Sequence, residues 1–574
     1  MAEPPDLSTR ARRLALENAV QHGTAPRAGP ITSRLLAAFP ELRKDPAGVA
    51  AAAEAATAWV AELSPEARRA ELKRLGGDLV APKTTRSDRP EMPELLGAVE
   101  GKVVLRMAPF PSGALHVGHA RMLFVNEHYR QRYHGRLLLV FDDTVGSDEK
   151  RVDGELYDVI REDLQYVGIS PDEVVYKSDR LPIFYEWAAR TIDAGAAYVC
   201  TCHNDLLREN RKLGIACPER SQDVAETRRG WERMLGGEFA VGEAVLRLRS
   251  DIQDPDPAFR DRVLFRLSDL DHPRVGRTYR VWPMLEFSWA VDDHLLGITH
   301  VIRGKDLQIE DRMEEFLWRT LGITGPKFVH WGMLRVDEAK LSKSKSYVEV
   351  KTGVYDGWAD PRTWSLRSLV RRGIGPGALK EFTLSFGLSL ADIEVPAETL
   401  FAANRVRIDP TSPRRAFIPA PVPVEVAGFP GDLATVELQN HPDRPELGTR
   451  TVPTGPRFLL PGADVERLAG TEVRLKDLVN ITLGPYQGPG APVAAAFSSR
   501  ENKRIPRLQW VGAEGAVPVE VLRPDGSWEA GIGESALGSA RPGEIYQLER
   551  YGFARVEDLQ PAGGRPVRLC FGHP

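Results

Sequence analysis

Between Lys102 and Phe141 the chain reads strand, glycine-containing turn, helix, strand, and few folds accept that order in so short a span. Val103-Val104-Leu105 reads as a buried strand, Gly118 to Tyr133 as a helix closed near Gly135, and Leu137 to Phe141 as a second strand. A strand, a crossover helix and a second strand imply a right-handed parallel unit, the start of a doubly wound α/β (Rossmann-like) domain. Further buried-looking strands lie at His300 to Ile302 and Phe328 to Leu334. The stretch from about 195 to 280 reads as an insertion between the two halves.

A chain of 574 residues exceeds what one core organises, so about three to five domains are expected. Residues 1 to about 80 read as helices, with alanine-rich Ala50 to Leu63 and no strand-like alternation. One of them is well punctuated: Ser64 suits an N-cap, Pro65 the first helical position, Glu66 and Glu71 the positive dipole end, and Gly76-Gly77 a stop. A Pro-rich linker, Pro82 to Pro93, follows. At the other end 21 of the 44 prolines fall after residue 400, among short alternating runs such as Pro423-Val424-Glu425-Val426 and Val473-Arg474-Leu475. Frequent turn signals between short strands point to one or two β-barrels. The expected boundaries are a helical N-terminal extension at 1–99, a catalytic domain at 100–195 and 283–350 split by an insertion at 196–282, a helical connecting domain at 351–408, and β-barrels at 409–574.

No apolar run approaches the ~20 residues of a membrane-spanning helix. Met1 to Arg13 is polar and lacks the apolar core of a secretory signal, so a cytoplasmic protein without a membrane partner is expected. Four cysteines are too few for a disulfide framework in a chain of this length. A formal net charge of -4 leaves any nucleic-acid contact to local basic patches.

Two elements carry chemistry. The turn after the first strand runs Arg106-Met107-Ala108-Pro109-Phe110-Pro111-Ser112-Gly113-Ala114-Leu115-His116-Val117-Gly118-His119. It sets two histidines on one face at the opening of a helix, where backbone N–H groups and the dipole favour phosphate. Gly118 lets an adenine or ribose approach the backbone, and the imidazoles can donate to charge developing during phosphoryl displacement. The plain alternative is two solvated histidines capping a helix. The second element, Lys340-Leu341-Ser342-Lys343-Ser344-Lys345-Ser346, reads as a polar loop whose ammonium groups can neutralise phosphate oxygens, or as an ordinary basic loop. Each sits beyond the carboxyl end of a strand, where a doubly wound fold presents ligands.

The pair resembles the two signature motifs of class I aminoacyl-tRNA synthetases, and the surroundings resemble the glutamyl/glutaminyl subfamily, specifically the archaeal-type glutamyl-tRNA synthetases. Asp292 to Asp306, Gly357 to Arg362, Ile505 to Val511 and the helical extension carry that likeness along nearly the whole chain. The resemblance implies ATP-dependent formation of a glutamyl-adenylate, with Mg²⁺ bridging phosphates, followed by transfer to tRNA(Glu) by a monomer; the free enzyme is expected to be silent in pyrophosphate exchange until tRNA binds. It further implies catalytic roles for His116, His119, Lys340 and Lys343, and ATP contacts from Pro111, Ser112, Gly113, Gly118, His119, Ser342, Lys343 and Ser344. It marks the insertion as acceptor-stem binding and the barrels as anticodon binding.

A glutamate side chain calls for a fixed, preferably bidentate cation. Arg106 and Arg303 stand at positions similar to the family's substrate-binding arginines, and Asp142 where the family's carboxylate holds the α-ammonium. Leu285 and Trp289 belong to the same expected pocket but depart from the family pattern, as do Phe110 and Val140. Lineage variation with compensating repacking and a pocket retuned for another amino acid or acceptor both explain these departures. A tRNA-binding paralogue without catalysis and a nucleotidyltransferase of the same fold complete the alternatives. Cys200, Cys202, His203 and Cys217 offer three thiols and an imidazole within eighteen residues, a structural zinc set or three reduced thiols. Basic residues at Arg362, Arg367, Arg371, Arg372, Arg405, Arg407, Arg414 and Arg415 are candidates for phosphate contact or solvated faces.

Overall fold

The structure is a computed structural model that describes residues 6–22, 28–39, 45–75, 92–145, 151–339, 343–557 and 566–574, with Pro26 and Leu42. It divides into two compact units, Met1–Glu91 and Met92–Pro574. In the first, α1 (Leu7–His22), α2 (Ala28–Ala38), α3 (Pro46–Ala61) and α4 (Pro65–Arg74) pack on one small core. Ala11, Ala15 and Ala19 recur every four residues on α1, and Ala53, Ala56 and Val60 meet them from α3. Ser64 caps α4 by accepting from the Ala67 amide at 3.2 Å, with Pro65 at the first helical position as the sequence predicts. Gly76, Gly77 and most of the Pro82–Pro93 linker lie outside the described residues.

The second unit opens with a parallel sheet of β1 (Val104–Met107), β2 (Arg136–Phe141) and β3 (Glu173–Tyr176), joined by α5 (Val117–Arg132) and α6 (Glu155–Tyr166). Leu137 to Phe141 form an unbroken apolar run, each at most 1% exposed, because the strand is covered on both faces. After α7 (Leu181–Asp193) comes the insertion. There β4 (Ala197–Cys200), β5 (Val245–Leu248), β6 (Val263–Leu267) and β7 (Val281–Pro283) form an antiparallel sheet, and α8 (Asn204–Leu213) and α9 (Val224–Leu235) lie between β4 and β5 in sequence. The chain then returns through α10 (Leu285–Leu295) to β8 (His300–Gly304), which pairs in parallel with β9 (Lys327–Trp331) after α11 (Gln308–Leu321).

The Thr299 amide donates to the Val104 carbonyl at 2.9 Å, which seats β8 against β1 and gives the order β3, β2, β1, β8, β9. The order reverses between β1 and β8, and a doubly wound sheet opens its ligand crevice at such a reversal. The predicted strand Phe328–Leu334 is two strands. It breaks at Gly332-Met333, and β10 (Leu334–Val336) pairs instead with Ile393–Val395. A side chain at Gly332 is excluded, since a Cβ there would lie 2.0 Å from the Ala391 carbonyl oxygen.

Beyond residue 412 lie two seven-stranded sheets. In one, the edge strands are Arg414–Arg415 and Phe417–Pro419; in the other, Arg507–Leu508 and Val511–Gly512. Each pair is nearly contiguous in the chain, so opposite edges are drawn together by a link of one or two residues and the sheet closes on itself as a barrel. The fold is thus the expected one: helices, a split doubly wound domain, an inserted sheet and two barrels.

Candidate active site

The crevice between β1 and β8 opens into a cavity of about 730 Å³ lined by Arg106, His116, Gly118, His119, Trp289 and Arg303 together with the Trp331–Ala339 segment. Its floor is the N-terminus of α5. His116 is the N-cap, and its Nδ1 accepts from the Gly118 amide at 3.1 Å; His119 Nδ1 accepts from the His116 amide at 3.2 Å. With both Nδ1 atoms serving as acceptors, the neutral rings carry their protons on Nε2, so each imidazole is a donor at its outer nitrogen. The rings lie 3.8 Å apart between centroids. Capping and donation are therefore one arrangement, and the helix dipole adds to the preference for phosphate.

The amino-acid half of the cavity is built on Trp289. Its indole carries the Arg106 guanidinium at 4.8 Å, that of Arg303 at 4.8 Å and the Lys177 ammonium at 5.1 Å. Each cation also has a carboxylate. Arg106 grips Asp293 with Nε and with Nη2, the latter at 2.8 Å. Lys177, fully buried, donates to Asp142 at 2.9 Å and to the Ser288 hydroxyl at 2.7 Å. Arg303 donates from Nε to Asp311 at 3.0 Å and from Nη2 to Glu314 at 2.8 Å. Two donors remain without a partner among the described residues, Arg303 Nη1 and Trp289 Nε1, on residues only 6% and 5% exposed. A buried donor with no acceptor costs about 1–3 kcal/mol, which a ligand carboxylate can recover.

The structure thus brings Arg106, His116, Gly118, His119, Trp289 and Arg303 to one cavity. Asp142 is held behind Trp289 by Lys177, and Leu285 starts α10 away from the cavity lining. Pro111, Ser112 and Gly113 form a turn tied to Asp153 by its amide, 3.1 Å from the Pro111 carbonyl, and do not line that cavity. Val140 packs in an apolar cluster with Leu138, Val175, Ile298 and Val301. Lys340, Ser342 and the side chains of Lys343 and Ser344 lie outside the described residues. Lys177, Asp293, Asp311 and Glu314 were not legible as site residues, because nothing local to them marks burial beside a distant charge.

The family described as tRNA synthetases class I (E and Q), catalytic domain, matches residues 102–410. The chain belongs to that family. Its anticodon-binding domains match residues 412–491 and 507–557, the two barrels. Among curated relatives, the glutamate–tRNA ligase of Methanothermobacter thermautotrophicus is 40% identical over 96% of this chain and 97% of its own length. That of Methanopyrus kandleri is 38% identical over 100% of both chains. A solved glutamate tRNA ligase from Elizabethkingia meningosepticum overlays 54% of this chain and 70% of its own at a TM-score of 0.40 and 19% identity. In this synthetase the cavity at β1 and β8 lies wholly within the matched catalytic domain.

The cysteine cluster forms with one replacement. Cys200, Cys202, Cys217 and Glu219 place ligand atoms all within 4.8 Å of one another, whereas His203 points to solvent with its side chain 80% exposed. His203 precedes α8 as its N-cap residue and turns away, while the turn at Pro218–Ser221 carries Glu219 back under the thiols. Buried Arg247 donates to Cys217 Sγ at 2.9 Å.

The basic residues between the halves have partners within the chain. Arg371 clamps Glu557, Arg372 donates to the Gly572 carbonyl, Arg405 to that of Pro574, and Arg362, Arg367, Arg407 and Arg414 pair with Asp360, Glu162, Glu381 and Asp409. Arg415 donates to Asn440. Arg371, Arg372 and Arg405 fasten the connecting segment to the barrels, and Arg367 fastens it to α6. A separate cavity of about 640 Å³ in the barrels is lined by Arg450, Lys476, Gln509, Gln547 and Arg550, with Gln509 Nε2 buried and without a partner among the described residues.

Proposed function

We propose that this chain is a glutamate–tRNA ligase that joins glutamate to tRNA(Glu) through a glutamyl-adenylate, acting as a monomer in the cytoplasm. The observation that carries the reading is Arg303 Nη1, a buried unpartnered donor on the wall of the cavity that also holds His116 and His119. ATP enters as its Mg²⁺ complex with its phosphates toward the α5 N-terminus. The glutamate side chain seats on Arg303 Nη1 and Trp289 Nε1, while Asp142 serves to hold Lys177 against the Trp289 ring. The α-carboxylate then attacks the α-phosphate, and the His116 and His119 Nε2–H groups donate to the charge that develops as pyrophosphate leaves. Lys340 and Lys343 neutralise phosphate oxygens; the polar loop expected over Lys340–Ser346 is corrected from Lys343 onward, where the chain is already helical (Lys343–Lys351). The terminal ribose hydroxyl of tRNA attacks the activated carbonyl in the second step, with the 196–282 insertion against the acceptor stem.

Anticodon bases fit the barrel cavity, where Gln509 offers an unused donor to a base edge. Cys200, Cys202, Cys217 and Glu219 hold a structural zinc, since their donor types and mutual distances suit a tetrahedral site. Charging of total tRNA with a panel of labelled amino acids tests the function. Robust glutamate charging supports it, and charging with a different amino acid, or none, overturns it.

A further inference from the structure

Charge around Trp289 does not balance before substrate arrives. Three cations, Arg106, Lys177 and Arg303, meet there, and four carboxylates, Asp293, Asp142, Asp311 and Glu314, accept from them. Three of the carboxylates are natural partners of one cation each. Glu314 is the surplus one: no part of its side chain is exposed, Oε1 accepts from Arg303, and Oε2 has no partner among the described residues. An ionised carboxylate with a bare oxygen in such a place is costly, and a neutral acid is not. The vacant Arg303 Nη1 belongs to the same guanidinium, so a substrate carboxylate on it faces Glu314 across one planar group.

We propose that Glu314 sets the charge of the amino-acid side chain this pocket accepts: an anionic side chain seats on Arg303 only when Glu314 holds a proton, so binding glutamate to the ionised form takes up one proton from water. A neutral side chain of the same length binds with Glu314 ionised. The inference rests on the glutamate reading above and deepens it. Burial, reinforced by the Asp293 carboxylate and opposed by Arg303 and Arg106, pushes Glu314 up to about 8. Its proton is therefore in place at neutral pH and lost in mild alkali.

The other groups facing Glu314 are accounted for. Arg303 comes from β8, Arg106 from β1 and Asp293 from α10. On α11 itself, Asp311 shares Arg303 and Glu310 turns to Arg262 at 2.9 Å. From β9, His330 Nε2 lies 2.7 Å from Asp311 Oδ2, which makes His330 the control residue for this cluster.

The test is the KM for glutamate and for glutamine in aminoacylation by the full-length protein from about pH 6.5 to 9.5, at saturating ATP and tRNA. KM for glutamate rises by up to about tenfold per pH unit above about 8 while kcat moves less than about twofold, and KM for glutamine does not rise. Glu314→Gln keeps the hydrogen bond from Arg303 and flattens the glutamate profile, whereas His330→Asn leaves the rise intact. Identical profiles for wild type and Glu314→Gln, or a flat profile in His330→Asn, overturn the inference. Should Glu314→Gln fail to fold, calorimetry of glutamate binding to the tRNA-bound wild type at about pH 8.5, in buffers of different ionisation enthalpy, reads the proton directly. Uptake approaching one proton with glutamate, and no uptake but a small release with glutamine, supports the inference, and zero uptake with glutamate overturns it. Glutamate charging with a flat wild-type KM defeats this inference alone; no glutamate charging at any pH defeats the functional reading and this with it.

Discussion

Arg106 and Asp293 meet across 187 residues of chain as a two-point ion pair, with 5% of one side chain and none of the other exposed. The pair bolts the end of β1 to α10 and holds one of the three cations on the Trp289 ring. Removing one partner of such a pair strands a charge in a low-dielectric site. Asp293→Ala is expected to lose about 3–5 kcal/mol of stability in urea unfolding. A loss below about 1 kcal/mol would mean that water reaches the pair.

The two histidines of the α5 N-terminus separate capping from catalysis. His116→Ser keeps an N-cap acceptor but removes the Nε2 donor, so stability should change by less than about 1 kcal/mol while kcat falls about 10²-fold or more. Unfolding curves and steady-state charging of the same preparation decide it. A parallel fall in both would reduce His116 to a structural cap.

His573 makes stability depend on pH far from the cavity. Its ring is fully buried, Nε2 accepts from Asn404 Nδ2 at 3.1 Å and Nδ1 donates to the Pro574 carbonyl at 3.0 Å. Burial holds it down to about 4, so the folded state favours the neutral ring. The stabilisation is complete above the unfolded value of about 6.5 and is lost as pH falls toward 4, by at most about 3 kcal/mol. Denaturation midpoints at pH 7 and pH 4.5 should differ more in wild type than in His573→Gln, and equal differences would sink the assignment.

The cysteine cluster should bind one zinc per chain, measured by elemental analysis of purified protein. Cys217→Ser should abolish binding and lower the melting temperature, whereas His203→Ala should leave both unchanged because that side chain faces solvent. Zinc loss in His203→Ala, or metal-free wild type, would refute the four-ligand set.

What could be read from the sequence was local in origin. The β1–α5–β2 order follows from apolar runs and a glycine-bearing turn, and His116 and His119 follow from their place at a helix opening, since capping needs only neighbours two and three residues away. Ser64 and Pro65 were legible for the same reason. The insertion and barrels showed as changes of texture, whereas barrel closure depends on which strands become edges. Glu219 escaped notice because a carboxylate beside thiols has no fixed spacing, and His203 drew attention by adjacency alone.

The sequence by itself determined the doubly wound core, the phosphate-binding helix start and the presence of Arg106, Trp289 and Arg303. Only the tertiary structure decided what those three do together. Asp142 reaches Lys177 across 35 residues, Asp293 reaches Arg106 across 187, and Glu314 reaches Arg303 from the following helix. Inside a protein the low dielectric makes each of these charges answer to whatever lies within a few ångströms, and that proximity is set by packing rather than by order along the chain.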